Sequence, residues 1–307
     1  IRDKDYGNYE SRLERALSGH PEEADNAITP VGSGIEGGQI AGMEMIVGTL
    51  FRWTGLRAPA LAVGITPFFV FVNVLLLFLL FRTLGFPEPW ALFGTTVYIG
   101  ILFHVIARVM HPGWSFVPAF AALLSFLHLW RTPSWIFAIL TGLLFSLLPY
   151  LYFWHWTFVW ATAGSALLID IFAQGKESVV RKHPAPFVVA AALTILLAIP
   201  FALKTLETFS HPFAEQMTFR GGFLHTRMVE SAPRSALLLL EFGIFLSLFP
   251  KGRGRFEYRA LLALLLGVFL ALHQNILHGT LLMFSSHFEP HFTLVTLVVG
   301  LYVLLRP

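Results

Sequence analysis

The chain contains no cysteine and few charged side chains. The absence of cysteine excludes disulfide bonds and thiolate metal sites. Charged residues make up only 13% of the sequence and hydrophobic residues 56%, whereas soluble domains have roughly 25% charged residues. The sequence pI of 9.3 does not indicate nucleic-acid binding, because the basic residues lie in short segments between apolar runs. This composition indicates a membrane protein.

Nine apolar runs fill most of the chain. Because a bilayer core needs about 20 apolar residues per helix, we predict an all-α polytopic transmembrane bundle of about nine helices. Several runs are short for a full span, so we expect tilted or broken helices among them. The predicted spans are 58–81, 90–108, 115–130, 134–149, 156–173, 187–204, 235–250, 259–277 and 290–306.

The short loops between these runs alternate in charge. One set contains Arg82, Arg131, Lys176, Arg181, Lys182, Lys251, Arg253, Arg255, Arg259 and Arg306. The intervening short loops, about 109–114, 150–155 and 278–289, contain no Lys or Arg. Because basic loops remain in the cytoplasm, we predict a multi-pass protein of the bacterial inner (plasma) membrane. Its polar clusters then lie outside. Asp170, by contrast, lies near the cytoplasmic end of its run, where we expect an interface residue.

A polar segment, residues 1–57, precedes the predicted bundle of residues 58–307 and carries nine of the eighteen acidic residues. Tyr6 to Leu17 has the periodicity of an amphipathic helix, and Gly42 to Trp53 is typical of a second helix along the membrane interface. No signal peptide or apolar anchor precedes this segment. If it is external, we expect an additional transmembrane helix upstream.

Two acidic residues, Asp3 and Asp5, stand at the start of this segment. Side chains two positions apart point in nearly opposite directions on either a strand or a helix. The pair is therefore not equivalent, and one carboxylate is a candidate general base or metal ligand. The alternative is a solvated helix start, where acidic side chains favour the helix dipole.

A second candidate cluster precedes the last apolar run. His287, Glu289 and His291 form an H-x-E-x-H pattern, and Pro290 favours an extended backbone with all three side chains on one side. Such groups bind either a divalent cation or a phosphate and a sugar hydroxyl; plain interfacial polarity is the alternative. Polar residues inside a spanning helix face protein or water, so we expect three others to line a cavity here: His273, Asn275 and His278.

The external loop near 205–234 is longer than connectivity requires, and such loops are often functional. Arg220, Arg227 and Arg234 recur every seven residues, which on a helix would form one basic stripe. Guanidinium groups suit bidentate phosphate binding. The stripe therefore predicts contacts with a lipid-linked phosphate or, alternatively, with ordinary lipid headgroups.

This layout resembles the GT-C superfamily of integral-membrane glycosyltransferases. The residues that carry the resemblance are Asp3-Lys4-Asp5-Tyr6, the helix from Tyr9 to Gly19, the Pro30–Gly32 turn, Met43 to Leu56 leading into the first span, and the stretch from Asn275 to His291. The resemblance implies inverting transfer of a sugar from a polyprenyl-phosphate donor to a lipid, glycan or protein hydroxyl at the external face. It also implies that Asp3 or Asp5 acts as base, with a Mg²⁺, Mn²⁺ or Zn²⁺ ion as a candidate cofactor.

Two other functions fit the same composition. A transporter or flippase would use the intramembrane Glu241, His104 and His273, although the chain shows no internal repeat of the kind that transporters have. A non-catalytic assembly protein would instead bind a partner through its outer loops.

Overall fold

The computed structural model describes residues 6–19, 42–106, 113–210, 223–225, 232–252, 254–278, 280–282 and 288–305. Nearly all of them are helical. The α-helices are α1 (Tyr6–Ser18), α2 (Met43–Phe51), α3 (Ala58–Thr83), α4 (Glu88–Ile106), α5 (Phe116–Arg131), α6 (Trp135–Leu151), α7 (Phe153–Gln174), α8 (Val179–Lys182), α9 (Pro184–Phe209), α10 (Ala232–Gly252), α11 (Phe256–His278) and α12 (Glu289–Leu305). Short 3-10 turns cover Arg52–Thr54, Gly113–Ser115 and Gly175–Glu177, and two short strands are β1 (Phe223–His225) and β2 (Thr280–Leu282).

Each of the nine predicted apolar runs overlaps one long helix, namely α3 to α7 or α9 to α12. Within the described ranges, five segments are long and apolar enough to cross a membrane: Ala58–Thr83, Gly113–Arg131, Trp154–Glu177, Pro184–Glu207 and Phe256–Gln274. Helices α6 and α12 are apolar but shorter. The helical fold class is thus confirmed and agrees with a multi-pass membrane protein, whereas the count of nine spans stays a prediction.

The two helices expected in the N-terminal segment are present as α1 and α2, and they pack together against the start of α3. Leu13 of α1 and Val47 of α2 are buried in one apolar cluster with Ala58, Leu61 and Trp114. Gly48 permits the close approach of α1 and α2, because a Cβ atom there would lie 2.5 Å from Cβ of Ala16. The amphipathic helices are therefore joined to the bundle through their apolar faces.

Glycines also bring pairs of bundle helices together. A Cβ atom on Gly267 of α11 would lie 2.7 Å from Cα of Thr162 in α7. On Gly142 of α6 it would lie 3.0 Å from the carbonyl oxygen of Ala190 in α9. Small residues at such crossings are typical of transmembrane helix packing, where close backbone approach increases dispersion contacts.

Asp170, which we expect as an interface residue at the cytoplasmic end, has structural contacts that the sequence did not indicate. Asp170 is fully buried, and it forms an ion pair with the buried Arg259, whose guanidinium also lies 5.5 Å from the ring centroid of Trp130. The second carboxylate oxygen accepts hydrogen bonds from Ser178 Oγ at 2.6 Å and Val180 N at 3.2 Å. A single charge buried in an apolar environment is costly unless an opposite charge accompanies it, so Asp170 and Arg259 are buried as a pair. Arg259 is therefore a structural partner rather than a simple loop anchor.

Candidate functional site

Two of the segments predicted to lie outside meet in a short antiparallel ribbon. Strand β1 belongs to the loop near 205–234, and β2 follows α11; Phe223 pairs with Leu282 and His225 with Thr280. The chain segments that carry the predicted arginine stripe and the H-x-E-x-H pattern are thus connected through backbone hydrogen bonds. Arg220, Arg227 and His287 themselves lie outside the described residues, as do Asp3 and Asp5.

The expected extended geometry of the H-x-E-x-H pattern is wrong for its last two members. Glu289 begins α12 and His291 lies in its first turn. Proline is tolerated in a first helical turn because the N–H that it lacks has no intrahelical acceptor there. Glu289 is 52% exposed, and its Oε2 lies 3.8 Å from Nη2 of Arg234 at the start of α10, so one member of the arginine stripe does approach this pattern.

His291 instead belongs to a chain of buried hydrogen bonds that we call the buried polar chain (Ser115, His155 and His291). Ser115 Oγ lies 3.0 Å from Nε2 of His155, and Nδ1 of His155 lies 3.0 Å from Nε2 of His291. All three side chains are buried. They lie at the starts of α5, α7 and α12. The buried polar chain therefore connects three helix starts that were predicted to face outside.

The imidazole–imidazole hydrogen bond couples the two rings. One ring nitrogen must donate and the other accept. The choice sets the tautomer of both histidines, so their proton positions change together. Nδ1 of His291 is buried without a hydrogen-bond partner among the described residues. The sequence pattern identified His291 and the segment of His155, but nothing marked Ser115, because a single serine beside Trp114 carries no periodic or charge signal.

The 3-10 turn before α5 connects the buried polar chain to the N-terminal helices. Trp114 stacks on Phe69 of α3, with ring centroids 5.1 Å apart and planes at 14°, and its Nε1 donates to Thr66 Oγ1 at 3.1 Å. Asn73 Nδ2 donates to the carbonyl oxygen of Gly113 at 2.9 Å. Stacking of this kind contributes about 0.5–1.5 kcal/mol beyond burial. The turn is therefore held firmly against α3.

His273, which we expect to line a cavity, has two hydrogen-bond partners. Its Nδ1 lies 2.8 Å from the carbonyl oxygen of Phe269, and its Nε2 lies 2.8 Å from Ser235 Oγ in α10. The carbonyl can only accept, so Nδ1 carries the proton and the neutral ring accepts from the serine. Asn275 and His278 lie in the last turns of α11, and their side chains lie outside the described residues.

A buried carboxylic acid lies between α1 and α2. Glu44 is fully buried. Burial raises the pKa of its carboxyl from 4.5 to about 7, although a backbone hydrogen bond and the nearby Arg12 guanidinium act in the opposite direction. The group thus titrates near neutral pH. Sequence reasoning missed it, because Glu44 stands alone in a weakly polar run.

An open depression of about 560 Å³ lies between α1 and the start of α3 and is lined by Glu10, Ser11, Glu14, Arg57 and Pro59. Glu14 Oε2 accepts a hydrogen bond from the backbone N of Ala58 at 2.8 Å. It thereby satisfies one of the free N–H groups at the start of α3. Within the described ranges no three His, Asp or Glu side chains are grouped as metal ligands.

Comparison of the chain with protein-family models, with curated proteins and with solved structures gave no match.

Proposed function

We propose that this protein is a membrane glycosyltransferase of the GT-C type, which moves a sugar from a polyprenyl-phosphate donor to an acceptor hydroxyl at the external face. One observation carries the proposal. Helix α1, which directly follows Asp5 in the sequence, packs beside Trp114, one residue from the buried polar chain that holds His291. Helix α1 and the start of α12 are thus both linked to the turn before α5, which supports a common site for the segments that precede these two helices.

In the proposed reaction Asp3, or alternatively Asp5, accepts the proton of the acceptor hydroxyl. The hydroxyl oxygen then bonds to the anomeric carbon, and the bond from that carbon to the lipid phosphate breaks with inversion. Positive charge stabilises the departing phosphate, and Arg220 and Arg227 are the candidates. His273, Asn275, His278, His287, Glu289 and His291 are proposed to shape the substrate site, His273 and His291 through the hydrogen bonds that hold their helices.

The membrane location supports the same chemistry. A polyprenyl donor dissolves in the bilayer, so its phosphate lies at headgroup depth, where the spanning helices end. The ribbon of β1 and β2 and the approach of Arg234 to Glu289 bring two loops together, and the proposal puts them at this level. A transporter would instead need a polar path through the bundle. His273 is hydrogen-bonded to Ser235 and to its own helix, which suits a structural role.

The test is separate replacement of Asp3→Asn and Asp5→Asn in the full-length protein, followed by an assay of sugar transfer. Loss of a general base lowers turnover by about 10²- to 10⁴-fold, and we expect this loss in at least one variant. Glu88→Gln, an exposed acid at the start of α4, is the control and should retain activity.

Wild-type turnover in both Asp variants would remove the proposed base. Mass spectrometry of lipid-linked sugars that accumulate in cells lacking the protein identifies the donor. Activity with and without a chelator decides whether a divalent cation contributes. Movement of the lipid-linked sugar between leaflets without transfer would favour a flippase.

A further inference from the structure

The open depression between α1 and α3 shares no residue with the buried polar chain and has its own set of polar groups. Arg57 and Ser11 are exposed and Glu10 is half-buried, and all three face an opening of about 560 Å³. Small-molecule sites typically have volumes of about 300–1,000 Å³. The depression is therefore large enough for a polar headgroup.

The charged groups of the depression are available for a ligand. Among the described residues, Arg57 has no side-chain hydrogen bond or ion pair, and neither has Glu10. Glu14 is different, because its Oε2 is held by the backbone N of Ala58 at 2.8 Å. This bond anchors one wall of the depression to the start of α3 and leaves the guanidinium of Arg57 free to bind an anion.

Exposed apolar side chains stand in the sequence on both sides of Arg57. Leu50, Trp53 and Leu56 are 62%, 80% and 46% exposed, and they precede the spanning segment that starts at Ala58. Further exposed apolar side chains follow along α3 with Val63 and Phe68, which are 63% and 60% exposed. Tryptophan and arginine at the start of a spanning helix mark the membrane–water interface. Arg57, one residue before this spanning segment, therefore stands where headgroup depth is expected, with acyl-chain positions along α3.

We propose that this depression binds the polar head of a membrane lipid that carries both a phosphate and hydroxyl groups. Arg57 contacts the phosphate, because a guanidinium forms short, charge-assisted hydrogen bonds with phosphate oxygens. Glu10 and Ser11 contact the hydroxyls, since a carboxylate accepts the hydrogen bonds that a polyol donates. Phosphatidylglycerol and a polyprenyl-phosphate sugar share this chemistry. If the lipid is a polyprenyl-phosphate sugar, the inference rests on the proposed transferase function.

The test uses the full-length protein in phosphatidylcholine nanodiscs with increasing phosphatidylglycerol, and native mass spectrometry counts the lipids retained. We expect Arg57→Gln to weaken phosphatidylglycerol binding about tenfold or more, as the loss of a charge-assisted bond implies. Arg52→Gln is the matched control, an exposed arginine five positions earlier that does not line the depression. Glu10→Gln should weaken binding of phosphatidylglycerol but not of phosphatidic acid, which lacks the glycerol headgroup.

Unchanged binding in Arg57→Gln would overturn the proposal. So would equal losses in Arg52→Gln and Arg57→Gln, because they would reflect general surface charge. Displacement of phosphatidylglycerol by a polyprenyl-phosphate hexose assigns the site to a lipid-linked sugar; failure to displace it assigns the site to a bilayer phospholipid. No transfer step enters this assay. An Asp3→Asn variant that retains both activity and lipid binding would therefore count against the base and leave the headgroup site intact.

Discussion

The carboxyl group of Glu44 makes the packing of α1 on α2 depend on pH. Burial raises its pKa to about 7, against 4.5 for the exposed group. Between pH 4.5 and about 7, the carboxyl of Glu44 therefore keeps its proton when α1 and α2 are packed together and loses it when they separate. Packing is strongest below pH 4.5, weakens as pH rises toward 7 and changes little above it. A shift of this size corresponds to about 3 kcal/mol.

Spin labels test this dependence, because the sequence contains no cysteine. With nitroxides at Ser18→Cys and Leu50→Cys, the distribution of distances between α1 and α2 should broaden as pH rises from 5 to 8. Glu44→Gln should abolish the change, since the amide does not titrate. Glu10→Gln, which alters a carboxylate outside this buried contact, should keep it. A pH-independent distribution in the unmodified protein would contradict the argument.

Single residues could be predicted where residue type and spacing in the sequence singled them out. Their burial and their hydrogen-bond partners could not be predicted in this way. His291 stood out because of its spacing from Glu289, but its burial depends on α7 bringing His155 within 3.0 Å. Asp170 and Arg259 are 89 positions apart, so no local pattern relates them. Partners that meet through tertiary packing leave no periodic signal, which is why the ion pair and Ser115 were missed.

At the scale of a single helix, α9 contains a proline, and a side chain of α6 forms hydrogen bonds with the backbone groups beside it. Pro200 lies inside α9 and interrupts the helical hydrogen bonds around it. The hydroxyl of Tyr150, from the end of α6, donates to the carbonyl of Leu197 at 3.0 Å and accepts from the N–H of Phe201 at 3.0 Å. The Tyr150 hydroxyl thus bridges two backbone groups that would be hydrogen-bonded to each other in a regular helix. Such side-chain bridges are typical of interrupted transmembrane helices.

Replacing Tyr150→Phe should expose this interruption. The ring can still pack edge-on against Phe201, whose centroid lies 5.4 Å away, but two backbone groups lose their partner, at about 1 kcal/mol or more each. Hydrogen–deuterium exchange of the α9 peptide around Phe201 should accelerate, while the α3 peptides stay unchanged. Phe201→Leu, which removes the ring contact but keeps the hydroxyl bridge, should exchange more slowly than Tyr150→Phe. The reverse order would assign the effect to ring packing.

Elements with strong periodicity were predicted well. The predicted helix from Tyr6 to Leu17 agrees with α1 to within one residue at its end. An apolar stripe marks the helix, and Gly19 and Pro21 mark where it ends. The extended geometry predicted for Glu289 and His291 was wrong, since Pro290 suits both an extended segment and a first helical turn. Local preference leaves that choice open, and the burial of His291 decides it.

At the scale of the whole molecule, the proposed reaction depends on orientation. The polar groups of α1, the ribbon and the start of α12 are proposed to face outside, and the basic loops to face the cytoplasm. Ser18 at the end of α1 and Glu177 in the turn after α7 are both exposed. They therefore report on opposite sides of the membrane if the charge rule holds.

Single cysteines in the full-length protein test this arrangement in intact cells, and the sequence provides a background without cysteine. A membrane-impermeant maleimide should label Ser18→Cys directly, but Glu177→Cys only after permeabilisation, because the lysines and arginines of its loop hold it in the cytoplasm. The opposite pattern would place α1 beside the cytoplasmic leaflet. A donor presented on the external leaflet could then no longer reach Asp3, Asp5 or the headgroup depression.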